Sequence, residues 1–300
     1  VASSAGMQSQ NQRLKCWVCI PAYDCIPAYD ARGNRKAAAG KQIIKLNNYI
    51  FALFILLFMY WPAASGAWAQ ELIPENAPTL IGDLGFGANH SPSPARSSTP
   101  ENRWIPYVNV EYGRFFGRID TLGVDLVPVG SGAVELVTRS IDDGYTPATS
   151  IGNLDRRRSS VPIGLGTLQT MSAGAVMFNV YHDVSQSKGN LADLLFAEEL
   201  DTDHFSFYPQ IGAEYRSGSY VDYYYGLSGT DAAQVKLNRY VPGSATNLFI
   251  DLFAEIKISG NWYLNTNLRK TWFDQSITAS PLVCRHGTTA GFIALSYRFE

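Results

Sequence analysis

The feature that most constrains this chain is side-chain alternation with a period of two, because such a segment can present two different faces only as an extended strand. It is sharpest in Leu248–Ile258: Leu248, Ile250, Leu252, Ala254, Ile256 and Ile258 fall on one side, Phe249, Asp251, Phe253, Glu255 and Lys257 on the other. Thr288–Phe299 (TTAGFIALSYRF) repeats it, with Gly291, Ile293, Leu295, Tyr297 and Phe299 against Phe292, Ala294, Ser296 and Arg298. Alternation alone fits two settings, a half-buried strand of a soluble sandwich or a strand between lipid and a wet interior.

Charges and loops separate the two. Glu111, Glu214, Arg216, Asp251, Glu255, Lys257, Arg269 and Arg298 all recur in mid-strand on the less apolar face. A membrane barrel uses such residues to line a polar lumen while its apolar face meets lipid. Further strands are predicted over Thr79–Ala88, Trp104–Tyr112, Phe115–Asp120, Gly123–Val129, Ala133–Ile141, Val161–Thr170, Gly174–Val184, Leu191–Leu200, Phe205–Arg216 and Trp262–Trp272. The turns near residues 113, 130 and 260 are tight, whereas the connections near 95, 150, 230 and 280 are long; outer-membrane barrels pair short periplasmic turns with long outer loops. The expected fold is therefore all-β, a transmembrane antiparallel up-and-down barrel of about 12 strands. Ten follow instead if Phe115–Val129 is one strand or Leu191–Leu200 is not a strand. Thr288–Phe299 then turns Leu295 to lipid and Ser296 to the lumen, so that Arg at 296 should be the milder change.

Composition agrees. Aromatic residues make up 13% of the chain, led by 17 Tyr and 15 Phe, as where side chains bridge dry and wet zones. A net charge of −2 with no basic stripe excludes a nucleic-acid footprint. Cys16, Cys19 and Cys25 precede a solitary Cys284, which argues against a disulfide framework; Cys16-x-x-Cys19 lacks a second ligand pair for a tetrahedral metal site.

Residues 1–35, with CIPAYD repeated at Cys19–Asp24 and Cys25–Asp30, form an unassigned leader that reads as translation upstream of the true start. Lys36, Lys41 and Lys45 then precede the apolar run Tyr49–Trp61 and a small-x-small site, Ala67-Trp68-Ala69. That order defines a secretory signal peptide over 36–69, since the run is well short of the roughly 20 residues of a membrane-spanning helix. Residues 70–300 are the barrel, placed in the outer membrane.

Candidate chemistry is sparse. His90, His182, His204 and His286 form no metal-ligand pair. His182-Asp183 with Ser185 is a possible nucleophilic grouping, weighed against a solvated strand end. Gly82-x-x-Gly85-x-Gly87 has no helix after it and is no dinucleotide fingerprint. Arg156-Arg157-Arg158 suits lipopolysaccharide phosphates, or else a solvated loop. No catalytic, cofactor-binding or metal residues are assigned.

From about Leu80 to Phe299 the chain resembles the MipA/OmpV family of outer-membrane proteins. The likeness rests on Pro106-Tyr107 with Glu111-Tyr112-Gly113-Arg114-Phe115-Phe116; Leu122–Leu126; Tyr224-Tyr225-Gly226-Leu227-Ser228 with Ala232-Ala233 and Tyr240; Gly260-Asn261-Trp262; and Ser280-Pro281-Leu282-Val283, Ala290-Gly291 and Tyr297-Arg298-Phe299. Two departures are that Gly164–Gly174 looks shortened, as if a strand pair were truncated, and that Glu300 follows the terminal aromatic. The resemblance implies a non-enzymatic scaffold joining a lytic transglycosylase to a murein synthase beside outer-membrane lipid. A narrow diffusion pore or outer-loop adhesin is the alternative, and a barrel hydrolase a third.

Overall fold

The computed structural model describes residues 78–202 and 205–299. The segments expected as a leader and a signal peptide and the first three cysteines lie outside the described residues, as do His204 and Glu300.

The alternating segments form β1 (Leu80–His90), β2 (Asn102–Tyr112), β3 (Phe115–Arg118), β4 (Thr121–Val129), β5 (Gly132–Arg139), β6 (Pro162–Met171), β7 (Gly174–Asp183), β8 (Asn190–Ala197), β9 (Leu200–Asp201), β10 (Phe205–Arg216), β11 (Ala245–Ser259), β12 (Trp262–Trp272) and β13 (Gly287–Phe299). Successive strands pair antiparallel, and β13 also pairs with β1, so the sheet closes on itself. The two-residue β9 continues the line of β8 along β10. The result is a closed antiparallel barrel of 12 strands, with Leu191–Leu200 in its wall. Closure leaves little sheet edge to satisfy in lipid, the outer part of β2 beside the short β3 excepted, and that is the condition for a sheet to span a bilayer.

Faces follow the alternation. Ile293, Leu295 and Tyr297 on β13 are exposed while Ala294 and Ser296 are buried; on β11 Leu248, Ile250 and Leu252 are exposed and Phe249 is buried. In a soluble fold this would be inside out; here the exposed apolar face is the lipid contact. Trp104, Tyr112, Phe115, Tyr215, Trp262, Trp272 and Tyr297 supply outward aromatic rings. Tight turns at 113–114, 130–131, 172–173 and 260–261 define one end, and the long connections 91–101, 140–161, 217–244 and 273–286 the other.

Four expectations change. Gly164–Gly174 is not truncated, because β6 and β7 form a full hairpin paired from Pro162–Asp183 to Met171–Gly174. Its glycines are needed for space: a Cβ on Gly164 would come within 1.8 Å of the Val180 carbonyl and one on Gly166 within 1.9 Å of Asn179 Oδ1. The shortened element is β3, four residues long. Ser296 is fully buried and accepts a hydrogen bond from Asn265 Nδ2 at 2.7 Å, so Arg there has no room and will not be mild. Cys284, expected as a lone thiol, is disulfide-bonded, a pairing that spacing in the sequence does not reveal. Finally, the loop from Ser217 to Asn247 contains two helices, α1 (Gly218–Tyr225) and α2 (Gly229–Val235), and the loop from 273 to 286 a third, α3 (Gln275–Thr278).

Candidate functional site

The inward faces of the strands meet as a charged network. Arg139 on β5 donates through Nε to Asp120 at 2.7 Å and through Nη1 to Asp193 on β8 at 2.6 Å. Asp193 also accepts from Arg216 Nη1 on β10 at 2.7 Å. Arg216 lies 3.4 Å from Glu214, which in turn pairs with Arg269 on β12 at 3.1 Å. Arg269 stacks on Phe249, 3.5 Å from its centroid, beside Asp251, which accepts from Asn267. Three arginines and four carboxylates thus run from the β3–β4 turn and β5 across to β11 and β12. The link from β5 to β8 passes over β6 and β7, where Gly164 and Gly166 leave room.

Nearer the short-turn end, Arg298 grips Asp83 with a two-pronged contact of 2.8 and 2.7 Å, reaches Glu255 at 2.5 Å and stacks on Tyr263 at 4.0 Å. Arg118 pairs with buried Glu135 at 2.9 Å and stacks on Phe116 at 3.8 Å. Arginine suits these positions because one planar guanidinium offers five donors and a face for an aromatic ring. Of the charges expected in the lumen, Glu214, Arg216, Asp251, Glu255, Arg269 and Arg298 join these networks; Glu111 and Lys257 are exposed. Asp83, Asp120, Glu135, Arg139 and Asp193 complete them. Asp83, Glu135 and Asp193 sit among aliphatic residues in strands with less regular alternation, and their inward parity was the signal available.

Above the network lies an aromatic lid. Tyr220, Val221, Tyr224 and Tyr225 of α1 are buried at the spacing that puts them on one face of a helix. Tyr145 Oη donates to the Tyr224 carbonyl at 2.6 Å and Tyr224 Oη to the Arg158 carbonyl at 2.9 Å; Ser280 Oγ donates to the Tyr225 carbonyl at 2.6 Å. The hydroxyls so engaged tie α1 to two other loops, 140–161 and 273–286. Tyr220 Oη donates to Asp143 at 2.6 Å. Burial pushes the Asp143 carboxyl up from its ordinary value, outweighing the pull of Arg216 and Tyr220. α2 is capped by Ser228, whose Oγ accepts from the Asp231 N–H at 3.1 Å. Beneath the lid remains a cavity of about 40 Å³ bounded by Asp143, Arg216, Tyr220 and Ile277, enough for a water and no larger solute.

The short-turn end differs. A cavity of about 390 Å³ is lined there by Arg114, Arg118, Asp125, Pro128, Ser131, Glu135, Leu168 and Thr170. The register shifts between Asp125 and Val127, a bulge of the kind that recurs at barrel rims.

The hydrolase-like grouping is not assembled. Asp183 is fully buried, where Ser160, Ser185 and Ser187 hydroxyls donate to it at 2.7, 2.7 and 2.6 Å. His182 lies on the opposite face of β7 and pairs with Asn190 at 2.9 Å. Asp183 therefore organises the turn after β7 instead of orienting a histidine. Gly85 and Gly87 lie inside β1, opposite Ser296 and Ala294. Among the described residues no cluster of three or more His, Cys, Asp or Glu could hold a metal ion.

A closed 12-strand barrel with an apolar aromatic exterior and a charged interior is an outer-membrane β-barrel protein. Residues 84–299 match the family model described as MltA-interacting protein MipA, and the chain belongs to that family. Among its relatives are the putative outer membrane protein YiaT of Escherichia coli K12, 26% identical over 85% of this chain and 99% of that one, and the MltA-interacting protein of the same strain, 26% identical over 49% of this chain and 60% of that one. The outer membrane protein OmpV of Vibrio cholerae is 23% identical over 57% of this chain and 63% of that one.

Proposed function

We propose that this barrel is a scaffold: it holds its periplasmic end at the inner surface of the outer membrane as a docking platform for peptidoglycan-remodelling enzymes, a lytic transglycosylase and a murein synthase. The observation that carries the reading is the asymmetry of the two mouths. The outer one is roofed by tyrosines and the lumen behind it is crossed by ion pairs, which disfavours conduction, whereas the periplasmic end holds a larger cavity flanked by Arg114, Arg118, Asp125 and Glu135. The name of the MltA-interacting relative supports the same partner class. Export requires the signal peptide over 36–69. The role is non-enzymatic; the separation of His182 from Asp183 and Ser185 supports this.

Cross-linking in cells followed by purification of the intact barrel tests the scaffold. Recovery of a lytic transglycosylase is expected, and repeated failure with the barrel folded overturns the proposal. Planar-bilayer recordings test the pore alternative, with steady open-channel conductance the result that would favour it.

A further inference from the structure

The barrel wall is uneven. β2 pairs with β3 only through Asn109–Tyr112, so its outer half, Asn102–Tyr107, is bonded through its backbone to β1 alone. At 3.4 Å per residue and the usual strand tilt, that is roughly 15 Å of unaccompanied wall, much of an apolar band about 25 Å tall. Val108 turns its carbonyl to the open side, accepting from the Ile119 N–H at 2.7 Å. Pro106 and Trp104 turn the same way by alternation, and Pro106, lacking an N–H, suits an unpaired edge. Trp104 is 79% exposed and Ile119, at the tip of the short β3–β4 hairpin, is exposed too.

Two loops close over this notch and expose arginines above it. Ser97 bridges Pro147, Tyr145 bridges Arg157, the Ser98 N–H donates to the Thr146 carbonyl at 3.0 Å and the Ala148 N–H to the Arg96 carbonyl at 2.9 Å. In this small three-stranded patch Tyr145 and Pro147 are buried, while Arg96, Thr146, Arg156 and Arg158 are exposed. Arg103, below them, is neutralised by Asp142. Arg96, Arg156 and Arg158 form no ion pair with the described residues, and with Asp155 as the adjacent carboxylate the face remains positive.

We infer that this notch and its arginine face seat a phosphorylated glycolipid of the outer leaflet. Its phosphates lie on Arg96, Arg156 and Arg158, and an acyl chain fills the groove against Trp104, Pro106 and Ile119. The vertical order, guanidinium groups above an apolar gap in the wall, matches the order of phosphate and acyl chain in such a lipid. This inference is independent of the scaffold reading.

The test uses the full barrel in detergent with bis-phosphorylated lipid A, dephosphorylated lipid A and inorganic phosphate as probes. A photo-crosslinking amino acid replaces Ile119, or Leu252 on the far wall as control. Lipid A should be captured saturably at 119 and only weakly at 252. The combined change Arg96→Gln, Arg156→Gln and Arg158→Gln should weaken lipid A binding about 100-fold, the order expected for three arginines at an anionic surface, with the heat-modifiable gel mobility of the folded barrel retained. Equal capture at 119 and 252, or no effect of the triple change, overturns the seat. Competition by inorganic phosphate as strong as by lipid A overturns the lipid assignment, and undiminished binding of dephosphorylated lipid A overturns the role of the arginines.

Discussion

Leu295→Arg measures the register of β13 against the membrane. Leu295 faces outward between Phe86 on β1 and Leu264 on β12, while its neighbours Ala294 and Ser296 are sealed inside. It lies four residues from the strand end at Phe299, which with 3.4 Å per residue and the usual tilt puts it roughly 10 Å above the periplasmic rim, near the middle of an apolar band about 25 Å tall. A guanidinium there should cost roughly 2–4 kcal/mol, and about 2 kcal/mol already shifts the folded-to-unfolded ratio some 30-fold. The reference is Asn109→Arg, which faces the lumen opposite Asp83 and Arg118, is exposed, and should cost less than about 1 kcal/mol. Reversible urea unfolding in phospholipid vesicles, followed by tryptophan fluorescence, gives both values. If Leu295→Arg costs no more than Asn109→Arg, the outward face of β13 is not in contact with lipid and the placement fails. Ser296→Arg should be at least as damaging as Leu295→Arg, for the different reason that a closed site is overpacked.

Asp193→Leu removes the carboxylate shared by Arg139 and Arg216 and leaves two guanidiniums short of a partner; a loss of about 3–5 kcal/mol in the same unfolding assay is expected, and a loss below about 1 kcal/mol would show that the network is not a structural lock. Tyr224→Phe deletes the hydroxyl that holds the Arg158 carbonyl and Ser160, and should cost about 0.5–1.5 kcal/mol while speeding proteolysis within residues 140–160. For pH, the folded-state carboxyl of Asp143 titrates above its unfolded value, so its charged form opposes lid closure: protection of the lid from protease should rise as pH falls from neutral through the folded pKa and gain nothing further below about 4. Asp143→Asn should flatten that dependence, and an unchanged pH profile would refute the assignment to Asp143.

Much of the wall was readable in the chain because a strand's faces are a local property: residues two apart share a side whatever lies beyond. Leu248–Ile258 and Thr288–Phe299 carry their register in their own spelling, and mid-strand charges with uneven loop lengths separate a membrane barrel from a sandwich. Once the strand number was near twelve, closure followed from the cost of a bare edge in lipid. Contacts between distant segments were not readable. The tyrosines of α1 sit in a segment of mixed periodicity, and become a lid only because Tyr145, Arg158 and Ser280 arrive from other loops to meet them. Asp183 beside Ser185 reads in sequence as chemistry, yet alternation across β7 sends His182 to the other face and Ser160 arrives from the preceding loop. The shortness of β3 depends on where β2 and β4 cease to find partners, and the meeting of Arg96 with Arg156 and Arg158 on two loops far apart in the chain. Sequence alone determined the alternating wall, its lipid and lumen faces and its membrane setting, because those depend on neighbours along the strand. The tertiary structure alone decided the ion-pair network, the lid and the notch, because each is built from side chains whose partners are set by closure of the barrel.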